Sequence, residues 1–128
     1  MKVICADNTS GRLSQSHFDV GYSPASRFQL STQKQYEVYA IALWRGLLSY
    51  LVIEDNGTPG WCPADLFEVL DSTLPASWRF AYFGQTPEQW LNAVWGYEEL
   101  TRSNHYDDLT NLNEDALRVF YERKTELE

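Results

Sequence analysis

A chain of 128 residues with 44% hydrophobic and 15% aromatic residues carries enough apolar material for one domain-sized core. A disordered or low-complexity chain and a second full-sized domain within this length are both excluded. The formal net charge of -8 excludes nucleic acid and anionic membrane as favoured direct ligands, because both repel a strongly acidic protein.

The charge is uneven. Residues 1–64 balance five basic residues against five acidic ones, whereas residues 65–128 set five against thirteen, so the whole surplus lies in the second half. That asymmetry marks the second half as a candidate surface for a basic partner. At the start of the chain an apolar run of four residues ends at Asp7, too short for a signal-peptide core or a membrane span, and a cytoplasmic location is expected. Cys5 and Cys62 are far apart, without Cys-x-x-Cys spacing or a nearby histidine pair, and are read as two buried free thiols.

In chain order, residues 3–6 form a short strand, and the Ser- and Gly-rich stretch 8–26 forms a long loop that contains His17. Residues 28–30 open a second strand. The clearest β signal is 36–44, apolar, aromatic or β-branched on both alternating faces and therefore expected to be covered on both sides. Arg45-Gly46 then turns the chain into a strand over 47–54, making a hairpin, and Asp55-Asn56-Gly57 turns it again toward a strand at Trp61-Cys62. Pro63 stops that strand, and a tight helical turn over 63–66 returns the chain to a strand over 67–70.

The segment Gly60-Trp61-Cys62-Pro63-Ala64-Asp65-Leu66-Phe67-Glu68-Val69-Leu70 resembles the closing part of an SH3-like barrel, where strand, proline-led helical turn and last strand follow in that order. The resemblance implies an antiparallel barrel built from the first 84 residues. Ligand-binding SH3 domains also carry an aromatic-rich acidic loop, a tryptophan pair and a tyrosine just past the proline. This chain has Leu66 at that last position and lacks the other two features, so the aromatic groove that polyproline recognition needs is not expected.

Beyond the barrel-like part, residues 78–83 read as a strand. Thr86, Pro87 and Gln89 have the pattern of a helix start, with Trp90, Leu91, Val94 and Trp95 at helical spacing behind them. Residues 103–112 read as a loop carrying His105-Tyr106-Asp107-Asp108. Asn113 caps a final helix whose first turn holds Glu114 and Asp115 and whose face holds Leu117, Phe120, Tyr121 and Lys124. The expected architecture is a single α+β domain over residues 1–128: an SH3-like antiparallel β-barrel followed by two C-terminal helices packed on it.

Catalytic signatures are absent. There is no Gly-x-Ser-x-Gly turn, phosphate-binding loop or dinucleotide fingerprint, and no cofactor is expected. His105 with Asp107 and Asp108 is the one group whose types suit a general base or a metal, so a small enzyme or metal-binding protein is the alternative function. An oligomeric adaptor is a further one, the oligomeric state being open. In size, acidity and lack of catalytic motif the chain resembles small acidic bacterial immunity-type proteins. This implies a non-enzymatic inhibitor whose carboxylates stand where phosphates would stand on a basic toxin nuclease. The partner-binding residues expected are Glu98, Glu99, Tyr106, Asp107, Asp108, Glu114 and Asp115. The five tryptophans, Trp44, Trp61, Trp78, Trp90 and Trp95, either pack the core or line a ligand pocket.

Overall fold

A computed structural model describes residues 1–102 and 104–127. The first strand, β1 (Lys2–Cys5), buries Val3 and Cys5 and turns Lys2 outward, as its alternation requires. The chain then passes through a 3-10 turn and a short helix, α1 (Gln15–Asp19), before β2 (Gln35–Glu37). A meander of β3 (Ala40–Trp44), β4 (Leu47–Ile53) and β5 (Pro59–Pro63) leads into the 3-10 turn Ala64–Leu66 and β6 (Phe67–Asp71). After these come β7 (Arg79–Tyr82), β8 (Leu91–Gly96), a 3-10 turn at Glu98–Thr101, α2 (His105–Thr110) and α3 (Glu114–Leu127).

Antiparallel ladders arrange the strands as β2-β1-β6 in one sheet and β5-β4-β3-β8-β7 in the other. The fold is α+β, with its last two helices near the C-terminus. The strands form two antiparallel sheets, and neither closes into a barrel among the described residues. The β3–β4 hairpin turns at Arg45-Gly46 with φ of 51° and 78°, the left-handed pair that a two-residue connection demands.

In its elements the structure departs from the sequence reading at five places. The stretch 8–26, read as a long loop, contains a 3-10 turn over Ser10–Arg12 and α1, because Ser14 and His17 cap the short helix reciprocally. The helix expected from Thr86 is a turn, closed by Gln89 N–H donating to the Thr86 carbonyl at 2.9 Å, followed by β8. Both edges of β8 are paired, with β3 and with β7, and such two-sided pairing outweighs a local capping pattern. Gly96, awkward in a helix, is required in this strand: a Cβ there would lie 2.9 Å from both the Ala40 Cβ and Leu100 Cδ1.

The single strand expected over 36–44 is two. It passes from one sheet to the other at Val38 and Tyr39, whose amides donate to the Met1 and Leu51 carbonyls at 3.0 and 2.8 Å, so the handover leaves no backbone donor unpaired. The strand expected at 28–30 is absent, and an isolated bridge between Thr9 and Arg27 lies nearby instead. The loop expected over 103–112 contains α2; Ser103 itself lies outside the described residues.

Packing follows from the two apolar faces of β3 and β4. On one face Tyr50, Val52 and Cys62 meet Val3, Cys5, Tyr36 and Phe67 of the three-stranded sheet. On the other face Ala40, Ala42 and Leu51 meet Leu109 of α2 and Ala116 and Phe120 of α3. The small alanines let the helices approach, and Phe120 fills the space edge-on to Tyr39, ring centroids 5.4 Å apart. Both cysteines lie in the first cluster as buried free thiols, with Cys62 Sγ 3.4 Å from Glu54 Oε1.

Phe120 has no exposed surface, so Phe120→Ala is expected to lower the unfolding free energy by about 3–5 kcal/mol. Tyr121→Phe, which removes one exposed hydrogen bond to the Gly57 carbonyl, is expected to cost at most about 1 kcal/mol. Urea denaturation measures both. Equal losses for the two variants would contradict this packing.

Candidate functional site

The candidate surface is organised by α2, a helix of under two turns. His105 and Leu109, four residues apart, point inward and are buried, while Asp107 and Asp108 in the first turn face solvent and complement the helix dipole. The Asn104 carbonyl accepts from the Asp108 amide at 2.9 Å and starts the helix. Inside, His105 Nε2 and the Tyr97 hydroxyl are hydrogen-bonded at 2.6 Å. Burial pushes the His105 imidazole below its ordinary pKa, against the opposing fields of Glu99 and Asp108, and burial pushes the Tyr97 phenol up.

Between the inward and outward faces lies Tyr106. Its ring packs on Trp61 with centroids 5.0 Å apart, and burial pushes its phenol well above the usual range. Tyr106 and Asp107 together form the shared lip of two clefts. One, of about 270 Å³, is walled by Tyr22, Trp44 and Trp61. The other, of about 370 Å³, is walled by Phe83, Trp90, Leu91 and Leu100, with Glu88 at its rim. Trp44 and Trp90 meet edge-on at 6.2 Å, and the Arg45 guanidinium lies 4.7 Å from the Trp90 ring centroid and 5.8 Å from that of Trp44.

The other expected partner residues divide between surface and interior. Asp108, Glu99, His105 and Asp115 line a further cleft of about 350 Å³ on the other side of α2. Glu98 is exposed and pairs loosely with Arg102 at 3.6 Å; Glu114 is exposed; Asp115 is exposed and pairs with Arg118 at 3.4 Å. Glu99 has a different task. Its carboxylate accepts from Arg123 Nη2 at 2.6 Å and Nε at 3.0 Å, and this guanidinium holds its pKa below the usual glutamate value. Arg123 also pairs with Glu126, so Glu99 ties the Glu98–Thr101 turn to α3.

Of the alternative site, His105 and Asp108 line one cleft together, with His105 Nε2 bonded to Tyr97, whereas Asp107 opens onto clefts that His105 does not line. No group of three or more metal-binding side chains comes together among the described residues.

Two buried polar residues were given no role by the sequence reading: Asn92, which it did not single out, and His17, which it placed in a loop. Asn92 donates to the Gly84 and Gln89 carbonyls at 2.8 and 3.0 Å and accepts from the Gly46 amide at 2.9 Å, fastening the segment that carries Trp90 to the β3–β4 turn. His17 Nδ1 accepts from the Ser14 amide at 3.1 Å, and its buried Nε2 lies 3.3 Å from Asp65 Oδ1 of the Ala64–Leu66 turn, without a hydrogen bond among the described residues. A lone buried Asn or His has no periodic signature, so nothing local announced either.

Comparison with protein-family models, curated proteins and solved structures gave no match. No helix among the described residues is long and apolar enough to cross a membrane. The functional reading therefore rests on the site itself.

Because the folded state depresses the His105 pKa, its contribution to stability is fully present above the unfolded value of about 6.5 and is lost as pH falls below it. His105→Gln is expected to be less stable than the unaltered protein at about pH 7.5, with the gap narrowing toward pH 5. Urea midpoints at the two pH values measure this, and a gap independent of pH would contradict it.

Proposed function

We propose that this protein is a non-enzymatic, immunity-type inhibitor that binds a basic protein, such as a toxin nuclease domain, through the outer face of α2 and the clefts beside it. One observation carries the reading: Tyr106 and Asp107, an aromatic anchor and an exposed carboxylate, form the common lip of two aromatic-walled clefts. A binding surface needs both parts. Desolvated aromatics supply most of the affinity, and exposed carboxylates steer encounter and reject acidic competitors.

The charge supports the same face. All of the net surplus comes from residues 65–128, and Glu88, Asp107, Asp108, Glu114 and Asp115 lie around this region with exposed side chains. Their fields extend about 8 Å at physiological salt, enough to act together on an approaching basic patch. Glu99 is left out of the surface because Arg123 holds it.

The remaining chain serves as the frame. The β2-β1-β6 order, the β3–β4–β5 meander and the proline-led turn into β6 support an SH3-like arrangement, with the C-terminal helices laid over the outer face of the meander. Two buried free thiols support a reducing compartment such as the cytoplasm as the place of action.

The test is capture from the native host with two baits, the unaltered protein and a variant carrying Asp107→Asn and Asp108→Asn. The unaltered bait is expected to retain a basic protein at about 0.05 M salt and release it near 0.5 M. The purified partner is expected to bind the double variant at least about tenfold more weakly, mainly through slower association. A partner that is acidic, or that binds both baits equally at both salt concentrations, would contradict the proposal.

A further inference from the structure

Resting on that reading, we infer that the smaller cleft, between Tyr22, Trp44, Trp61 and Tyr106, is a seat for a single arginine side chain of the partner. Its volume of about 270 Å³ decides the scale of the occupant. Sites for whole small molecules usually run from about 300 to 1,000 Å³, so this one suits a side-chain head group better than a cofactor or metabolite.

The walls decide the chemistry. Four aromatic side chains line it, with Trp61 and Tyr106 packed on one another, and Asp107 adds a carboxylate at the lip. No basic side chain lines the cleft among the described residues; the nearest guanidinium placed by a ring contact is that of Arg45, 5.8 Å from the centroid of the Trp44 ring. An anion would meet Asp107 unpaired, and a neutral apolar group would cover that carboxylate without compensating it. A cation satisfies both the rings and the carboxylate.

Among cations, the observed hydrogen-bond acceptors favour guanidinium over ammonium. Asp107 offers carboxylate oxygens, and the Thr110 hydroxyl, which donates its own proton to the Tyr106 carbonyl at 2.8 Å, keeps its lone pairs free. A guanidinium can give in-plane N–H bonds to such a rim while its flat faces lie against the rings; a tetrahedral ammonium cannot do both. The chain itself provides a precedent next door. Arg45 already lies over the Trp44 and Trp90 rings, and it lines a further cleft with Gln89, Trp90 and Asn92. The same aromatic ridge therefore already carries one guanidinium of its own.

The test uses Nα-acetyl-arginine amide as probe, titrated into the full chain while the tryptophan indole N–H signals are followed by NMR. Its neutral isostere, the citrulline amide, and the lysine amide serve as comparisons. The indole of Trp61 is a suitable reporter, since its Nε1 is buried without an acceptor among the described residues. Saturable shifts are expected at Trp44 and Trp61, with arginine at least about fivefold tighter than citrulline and tighter than lysine, and with the preference over citrulline lost in Asp107→Asn. Equal response to arginine and citrulline, or shifts confined to Trp78, Trp90 and Trp95, would overturn the assignment.

The two proposals fail separately. Should the purified basic partner still lose affinity for the double carboxylate variant while the arginine amide shows no preference, the acidic surface stands and the arginine seat falls. Should the arginine amide bind as described while partner binding ignores both carboxylates, the seat stands and the surface reading falls.

Discussion

Everything in this molecule follows from a strand pair that is apolar on both faces. Leu51 and Val52 are adjacent in β4, point to opposite sides of the sheet, and are both fully buried. Neither face can be left to water, so the chain must supply two covers. The three-stranded sheet provides one and the C-terminal helices the other. Each fully buried Leu, Val or Phe contributes roughly 1.5–3 kcal/mol, whereas an exposed ion pair contributes about 0–1 kcal/mol. Burial of Leu109, Ala116 and Phe120 therefore decides where α2 and α3 lie, and the Arg123–Glu99 pair refines that placement.

The candidate surface is a by-product of that cover. Once Leu109 and His105 are drawn inward, the geometry of a helix turn leaves Asp107 and Asp108 on the solvent side, with Tyr106 at the boundary against Trp61. Charges are sorted by the same rule. Carboxylates that hold the frame are paired: Asp55 accepts from Ser31, Lys34 and Tyr36, which pull its pKa down to about 2, and Glu99 is gripped by Arg123. Asp107 and Asp108 make no ion pair among the described residues.

Features set by neighbouring residues could be read directly from the sequence. Arg45-Gly46, the turn after Pro63 and the cap at Asn113 are each settled within a few residues, and Asn113 Oδ1 does accept from the Asp115 amide at 3.0 Å. Features set by distant partners were not legible. Thr86 to Gln89 has a true helix-start pattern, but β3 and β7 claim both edges of the segment that follows. The passage between sheets at Val38 and Tyr39 changes no residue type and so leaves no mark in the pattern. α2 is too short for periodicity to stand out. At the site, the acidic residues were visible as a composition bias, but the separation of Glu99 from Asp107 depends on Arg123, more than twenty residues further along. The tryptophans showed no grouping in sequence, because Trp44, Trp61 and Trp90 come together only across strands β3 and β5 and the segment before β8.

The central claim is that a partner meets this protein at the outer face of α2 and the aromatic clefts beside it. Amide hydrogen exchange, followed with and without the purified basic partner, tests it most directly. Protection is predicted at residues 104–111 and across the cleft walls near Trp44, Trp61 and Trp90, with β1 and β6 unchanged. Protection centred on β1, β2 or β6, with residues 104–111 unaffected, would contradict it.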